Sequence, residues 1–152
     1  MNTRLLASIV AVICTLFSLG SYAENAHSYN GSYCTNYIAT DSNKVAHQYN
    51  GLRNTSAGSI YVTCPVAVDE VAVTTGTSRV WVHYSGTGTL SCNLYSMNGI
   101  GSINQSKFAS VTNTNWMNIP NLTSEDFWGS SVIYCYLPAN GVINTVWFGE
   151  NN

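Results

Sequence analysis

Two stretches of the chain, Ser91-Cys92-Asn93-Leu94-Tyr95 and Tyr134-Cys135-Tyr136-Leu137-Pro138, share a Cys-x-Leu core. Successive side chains of an extended strand point to opposite faces, so each cysteine lies on the same face as its leucine. The pattern reads as two core strands whose sulfurs face one interior. Two further cysteines, Cys34 and Cys64, precede them. These four show neither the close spacing of a zinc site nor a Cys-x-x-Cys redox motif, so they read as two disulfides with three possible connectivities. The matched strands favour a Cys92–Cys135 bridge, which leaves Cys34 with Cys64. Such a framework constrains the chain to a small, oxidised, strand-rich domain.

The fifth cysteine, Cys14, falls in a leader. Arg4 precedes an apolar run over residues 5–19 that closes in Gly20-Ser21-Tyr22-Ala23, with Ser21 and Ala23 placed three and one before a cut. Residues 1–23 therefore read as a signal peptide and 24–152 as one exported domain. Ile13 stands where a lipid-attachment box at Cys14 needs a small residue. No later apolar run is long enough to span a membrane, so the expected location is secreted or periplasmic. Charged residues make up only 8% of the chain, against about a quarter in ordinary domains. Beyond the leader Lys44, Arg53, Arg79 and Lys107 are the basic residues, too few to attract nucleic acid or an anionic bilayer. Polarity comes instead from Asn, Ser, Thr and Tyr, and 45% hydrophobic and 12% aromatic residues oppose disorder.

The periodicity is that of strands. A loose lead-in is expected over 24–30, a strand carrying Cys34 over 32–40, a turn at Asp41-Ser42-Asn43, and a second strand over 46–53. Ile60, Val62, Cys64 and Val66 then share one face, with Tyr61 and Thr63 on the other. Pro65, which lacks an amide donor, predicts an edge position or an end to pairing there. An extended loop (67–73) and a turn (74–78) follow. Next, Val80, Val82 and Tyr84 alternate with Trp81 and His83. Ser85-Gly86-Thr87-Gly88 predicts a hairpin into the Cys92 strand, and Asn98-Gly99-Ile100-Gly101 a turn. Strands over 105–111 and 116–119, one helical turn over 123–128, the Cys135 strand, a Pro138-Ala139-Asn140-Gly141 turn and a strand over 142–148 complete the chain. Eight or so short strands without a long helical period predict an all-β fold, a single antiparallel β-sandwich stabilised by two disulfides; a closed barrel is the rival.

Several of these segments form an ordered set: Tyr49-Asn50-Gly51 with Asn54, Val62-Thr63-Cys64-Pro65-Val66, Cys92-Asn93-Leu94-Tyr95-Ser96, Tyr134-Cys135-Tyr136-Leu137-Pro138, and a hydrophobic strand ending in Glu150. The set resembles an uncharacterised family of small secreted bacterial β-sandwich proteins. The resemblance implies a secreted, disulfide-bonded β domain and brings no catalytic residues with it. The chain departs from the family's pattern after Cys64-Pro65, where Val66-Ala67-Val68-Asp69-Glu70 is apolar and then acidic rather than basic.

Catalytic constellations are sparse. Neither a Gly-x-Ser-x-Gly elbow nor a His-Glu-x-x-His helix occurs. Asp69-Glu70 and Glu125-Asp126 are adjacent pairs, and neighbours on a strand point to opposite faces, poor geometry for shared acid and base work. Calcium between the Asp69 and Asp126 loops is conceivable in a sandwich, but solvated turn acids are the commoner explanation, and no metal site or cofactor is assigned. The sequons at Asn30, Asn54, Asn104 and Asn121 arise readily in a chain so rich in Asn, Ser and Thr. The aromatic residues are the better lead. Trp81, Trp116 and Trp147, with His83 beside them, are the candidate ligand-binding residues, because Trp81 and Trp147 alternate away from the apolar faces of their strands. Packing on an outer sheet face is the competing explanation. The functional reading is therefore, first, an exported non-catalytic binding or envelope-associated structural module; second, a carbohydrate-binding module using exposed Trp and Tyr; and third, a small secreted hydrolase with His83 and Asp69 or Asp126. A glycan or another envelope protein is the partner these readings imply.

Overall fold

A computed structural model of the chain describes residues 25–66, 78–122 and 130–150. The expectations for the leader, for the loop and turn over 67–77, and for the helical turn over 123–128 lie outside them, as do Asp69 and Asp126. Two antiparallel sheets pack face to face as a sandwich. One contains β1 (Asn25–Asn30), β3 (Val45–Gln48), β4 (Gly51–Asn54), β6 (Ser78–Ser85), β9 (Asn115–Leu122) and β11 (Val142–Glu150). The other contains β2 (Thr35–Asn36), β5 (Ile60–Val66), β7 (Thr89–Met97), β8 (Ile103–Thr112) and β10 (Ser130–Leu137).

The strand order carries more than the count. The first sheet runs β3-β4-β11-β6-β9 and the second β2-β5-β10-β7-β8. Strands β4 to β11 thus fall as β4-β11-β6-β9 over β5-β10-β7-β8, the order of a jelly roll. β1 pairs with β11 from Thr145 to Glu150, along the stretch beyond the β4 pairing at Val142 and Ile143. Where the two meet, Gly31 and Gly51 both press on the Ile143 carbonyl, and a Cβ built on either would lie 1.9 Å or 2.0 Å from its oxygen. Only glycine allows that approach, and Gly51 also has φ +138°.

Alternation builds the core as the sequence predicts. Leu52, Val80, Val82, Tyr84, Ile119, Ile143, Val146 and Phe148 face inward from the first sheet, and Ile60, Val62, Leu90, Leu94, Ile133 and Leu137 from the second, all of them buried. The four cysteines of the described residues are fully buried among them, bonded as Cys34–Cys64 and Cys92–Cys135. Cys92 and Cys135 are direct cross-strand partners of β7 and β10, and Cys34 immediately precedes Thr35, whose partner is Thr63. Both bridges therefore join neighbours within the second sheet. Cohesion between the sheets comes from apolar packing, helped by the Tyr29 hydroxyl of β1, which donates to the Pro65 carbonyl of β5.

Four local expectations need correction. Residues 25–30, expected to be a loose lead-in, form β1, because β11 offers a free edge that backbone pairing can satisfy whatever the side chains. The strand expected over 32–40 is broken: Gly31–Tyr33 and Ala39–Lys44 are 3₁₀ turns flanking the two-residue β2, the first capped by the Asn30 side chain accepting from the Ser32 amide. The strand expected over 46–53 is a hairpin, β3–β4, closed by Tyr49 and Asn50. The hairpin expected between β6 and β7 is instead a crossing, since the two strands belong to different sheets. Turn chemistry reads the same for a hairpin and for a sheet-to-sheet corner, which is why the sequence misplaces this one. Pro65 sits past the end of β2, which pairs only with Thr63 and Val62, in keeping with its missing donor.

The corners share one pattern of packing. Tyr84 is fully buried beneath the loops at Gly86, Gly88 and Gly141, with Gly86 and Gly141 pressed against its ring. Its hydroxyl lies beside Gly88 without reaching hydrogen-bonding geometry, and finds no partner among the described residues. Asn54, also fully buried, ties the β4 corner to the β10 end: its amide donates to the carbonyls of Gly58, Leu137 and Pro138 at 2.8–3.0 Å, and its Oδ1 accepts from the Ser56 amide and hydroxyl. This sequon asparagine is a structural hub.

Candidate functional site

The outer face of the first sheet is set by the residues out of phase with the core. Register places them in two cross-strand rows. One runs Ser28, Trp147, Trp81, Asn118 across β1, β11, β6 and β9; the next runs Asn30, Thr145, His83, Trp116 over the same strands. Trp147 and Trp81 are thus immediate neighbours. Trp116 lies diagonal to Trp81, within reach of an aromatic side chain on one sheet face.

The three tryptophans together line a shallow cleft of about 360 Å³. Trp81 is 37% exposed and Trp116 46% exposed, while Trp147 is half-buried. The His83 ring leans on Trp116, with centroids 4.9 Å apart and planes at 49°. Ser28 and Asn118 are exposed and Thr145 is half-buried at the border of the indoles. All of the four candidate residues named from sequence lie on this one face, brought together from three strands. Their alternation was legible; their mutual register was not, since it depends on which strands are neighbours.

Chemically, the face offers flat electron-rich rings bordered by hydroxyl and amide groups. Among the described residues no cluster of three or more His, Cys, Asp or Glu is arranged to hold a metal ion. The Asp41 carboxylate, on the 3₁₀ turn before β3, is engaged by Lys44 at 2.6 Å. The imidazole of His47 meets the Ser32 carbonyl at 2.7 Å through Nδ1. No helix among the described residues is long and apolar enough to cross a membrane.

Sequence reasoning missed a second aromatic face. On the outer side of the second sheet, Tyr61 stacks on Tyr134 with centroids 5.1 Å apart and planes at 16°. Tyr37 meets Tyr134 edge to face at 4.8 Å, and Tyr61 meets Tyr136 at 5.0 Å. Burial raises the Tyr134 phenol above its ordinary range, and the phenols of Tyr61, Tyr37 and Tyr95 raise it further. The signal was present in the sequence, because Tyr95, Tyr134 and Tyr136 occupy the positions out of phase with the two Cys-x-Leu cores.

Fold and site together define a jelly-roll sandwich with an aromatic cleft on one sheet. No protein-family model matches the sequence, and no curated protein does. Among solved structures the chain is similar to the GH26-CBM35 β-(1,4)-mannanase of Podospora anserina, at 12% identity and a TM-score of 0.44, covering 84% of this chain and 28% of that one. It is also similar to the carbohydrate-binding module CBM36 in complex with calcium and xylotriose, at 14% identity, a TM-score of 0.40 and coverage of 80% and 98%. A third similar structure is ligand-free BiXyn10A CBM1, at 12% identity, a TM-score of 0.34 and coverage of 87% and 93%. What this chain does has to be read from its own side chains.

Proposed function

We propose that the protein is an exported, non-catalytic glycan-binding module whose site is the Trp81–Trp116–Trp147 face. The observation that carries this reading is the convergence of three indoles from β6, β9 and β11 on one cleft. An aromatic ring presents a negative face, and the axial C–H groups of a pyranose present a slightly positive one, so ring and sugar stack. Ser28, Thr145, Asn118 and His83 border the rings with groups that can bond hydroxyls. His83 is the one titratable side chain in the two cross-strand rows, and the exposed Arg79 in the adjoining row of β6 is the one cation beside Trp81 on that strand face, a sparsely charged border that suits a largely neutral glycan. The packing explanation for outer-face tryptophans accounts less well for rings that together line a cleft while two of them stay more than a third exposed.

Native affinity electrophoresis through gels containing xylan, β-mannan or mixed-linkage β-glucan tests the reading, with tryptophan fluorescence as the second readout. Retardation in at least one gel, reduced by Trp81→Ala, is the expected result. Wild-type mobility unchanged in all three gels overturns it.

A further inference from the structure

The tyrosine face of the second sheet is a second concave site. A groove of about 400 Å³ runs between Tyr37, Tyr95 and Tyr134, with Thr63 at one wall and aliphatic side chains from β7, β8 and β10 at the other. It lies on the opposite side of the sandwich from the tryptophans. Two sheets packed about 10 Å apart, plus side chains on both outer faces, set the two sites roughly 20 Å from each other.

The lining is neutral: phenols, one hydroxyl and aliphatic groups. The nearest strand cation in sequence, Lys107, stands on β8 opposite Leu94 and so belongs to the inward phase, away from this groove. Charge complementarity therefore argues against acidic peptides, nucleotides and anionic lipids. Thr63, Tyr134, Asn93 and Phe108 are aligned in one cross-strand row, giving flat rings interleaved with hydroxyl and amide groups. That is the same chemistry, in tyrosine, as the tryptophan face offers.

We infer that the Tyr37–Tyr95–Tyr134 groove is a second neutral-glycan site, so that one domain holds two polysaccharide chains on opposite faces and cross-links them. The inference rests on the glycan reading of the tryptophan face but concerns different residues. A bivalent module gains avidity on a polysaccharide surface without any new contact.

Calorimetry with hexasaccharides of xylan, β-mannan and mixed-linkage β-glucan, together with light scattering on the soluble polysaccharides, separates the two claims. Two bound hexasaccharides per chain and a scattering rise on mixing are expected. Tyr134→Ser reduces the stoichiometry from two to one and abolishes the scattering rise, while the tryptophan fluorescence response persists. Tyr37→Ser, at a side chain 61% exposed and outside the core, does the same should Tyr134→Ser fail to fold. One hexasaccharide per chain, weakened by Trp81→Ala and untouched by both tyrosine variants, overturns this inference and leaves the first reading standing. A wild-type dimer that becomes monomeric with Tyr37→Ser assigns the groove to a second copy of the chain and also overturns it. Failure of all three polysaccharides to bind overturns both.

Discussion

Trp81 and Trp147 stand directly opposite each other across the β6–β11 ladder, and both indoles line the same cleft. Removing either ring takes away part of the cleft's aromatic lining. Trp81→Ala and Trp147→Ala should each weaken glycan affinity by about tenfold, the equivalent of about 1.4 kcal/mol. Trp116→Ala should cost less, because its ring is diagonal to the pair and the most exposed of the three. Binding isotherms followed by intrinsic fluorescence check the order, and equal losses from all three variants would argue for a different geometry.

Asn54 holds the ends of β4 and β10 together with one amide. Asn54→Ala takes the side-chain donor from the buried Leu137 carbonyl, while the Pro138 carbonyl keeps the Gly141 amide, and an unsatisfied buried group costs about 1–3 kcal/mol. Thermal melting should fall by several degrees, and Asn54→Asp should be worse still, since it puts acceptor oxygens against carbonyls. Neither variant touches the tryptophan face, so affinity of the folded fraction should be unchanged.

The two bridges span 30 and 43 residues, and loops of that size are each worth about 4 kcal/mol in the chain-entropy picture. Paired Cys92→Ala and Cys135→Ala should therefore lower the unfolding midpoint in urea sharply. Because this bridge joins adjacent strands of one sheet, a variant that still folds should retain its outer faces. A midpoint equal to wild type would show that the second sheet needs no covalent link.

Burial pushes the phenols of Tyr29, Tyr84 and Tyr134 above their ordinary value of 10.0. In the unfolded chain they ionise at that ordinary value, so from about pH 10 upward the unfolded state loses protons first. A raised folded-state value means stability is intact below pH 10 and declines as pH rises beyond it. Melting temperature should be flat from neutral pH to about 9 and fall above 10, in step with the appearance of tyrosinate absorbance near 295 nm. Tyr29→Phe should shift that alkaline limb upward in pH, because it removes one of the three protons concerned.

The alternation of Val80, Val82 and Tyr84 against Trp81 and His83 was enough to assign faces, and the Cys-x-Leu repeats were enough to pair the sulfurs. Both are local properties of a single strand, and local periodicity survives whatever the strand packs against. The assembly of Trp116 with Trp81 and Trp147 is a different kind of fact. It depends on β9 lying next to β6 and β6 next to β11, pairings between segments far apart in sequence. The same limit explains the misread Gly86–Gly88 corner. Glycine-rich turn residues specify a sharp reversal and say nothing of whether the chain returns to the same sheet. β1 was illegible for a third reason: its polar residues (Asn25-Ala26-His27-Ser28-Tyr29-Asn30) take their order from the β11 edge rather than from a hydrophobic pattern of their own.

The disulfides have a consequence for biogenesis. Their loops are consecutive along the chain, Cys34 with Cys64 and then Cys92 with Cys135, with no interleaving. A chain oxidised as it emerges from its N-terminal side can close the first bridge before Cys92 is accessible, and the second bridge then has only one pair of thiols left. Joining these four cysteines in order of appearance yields the connectivity seen in the fold, with no reshuffling of wrong pairs.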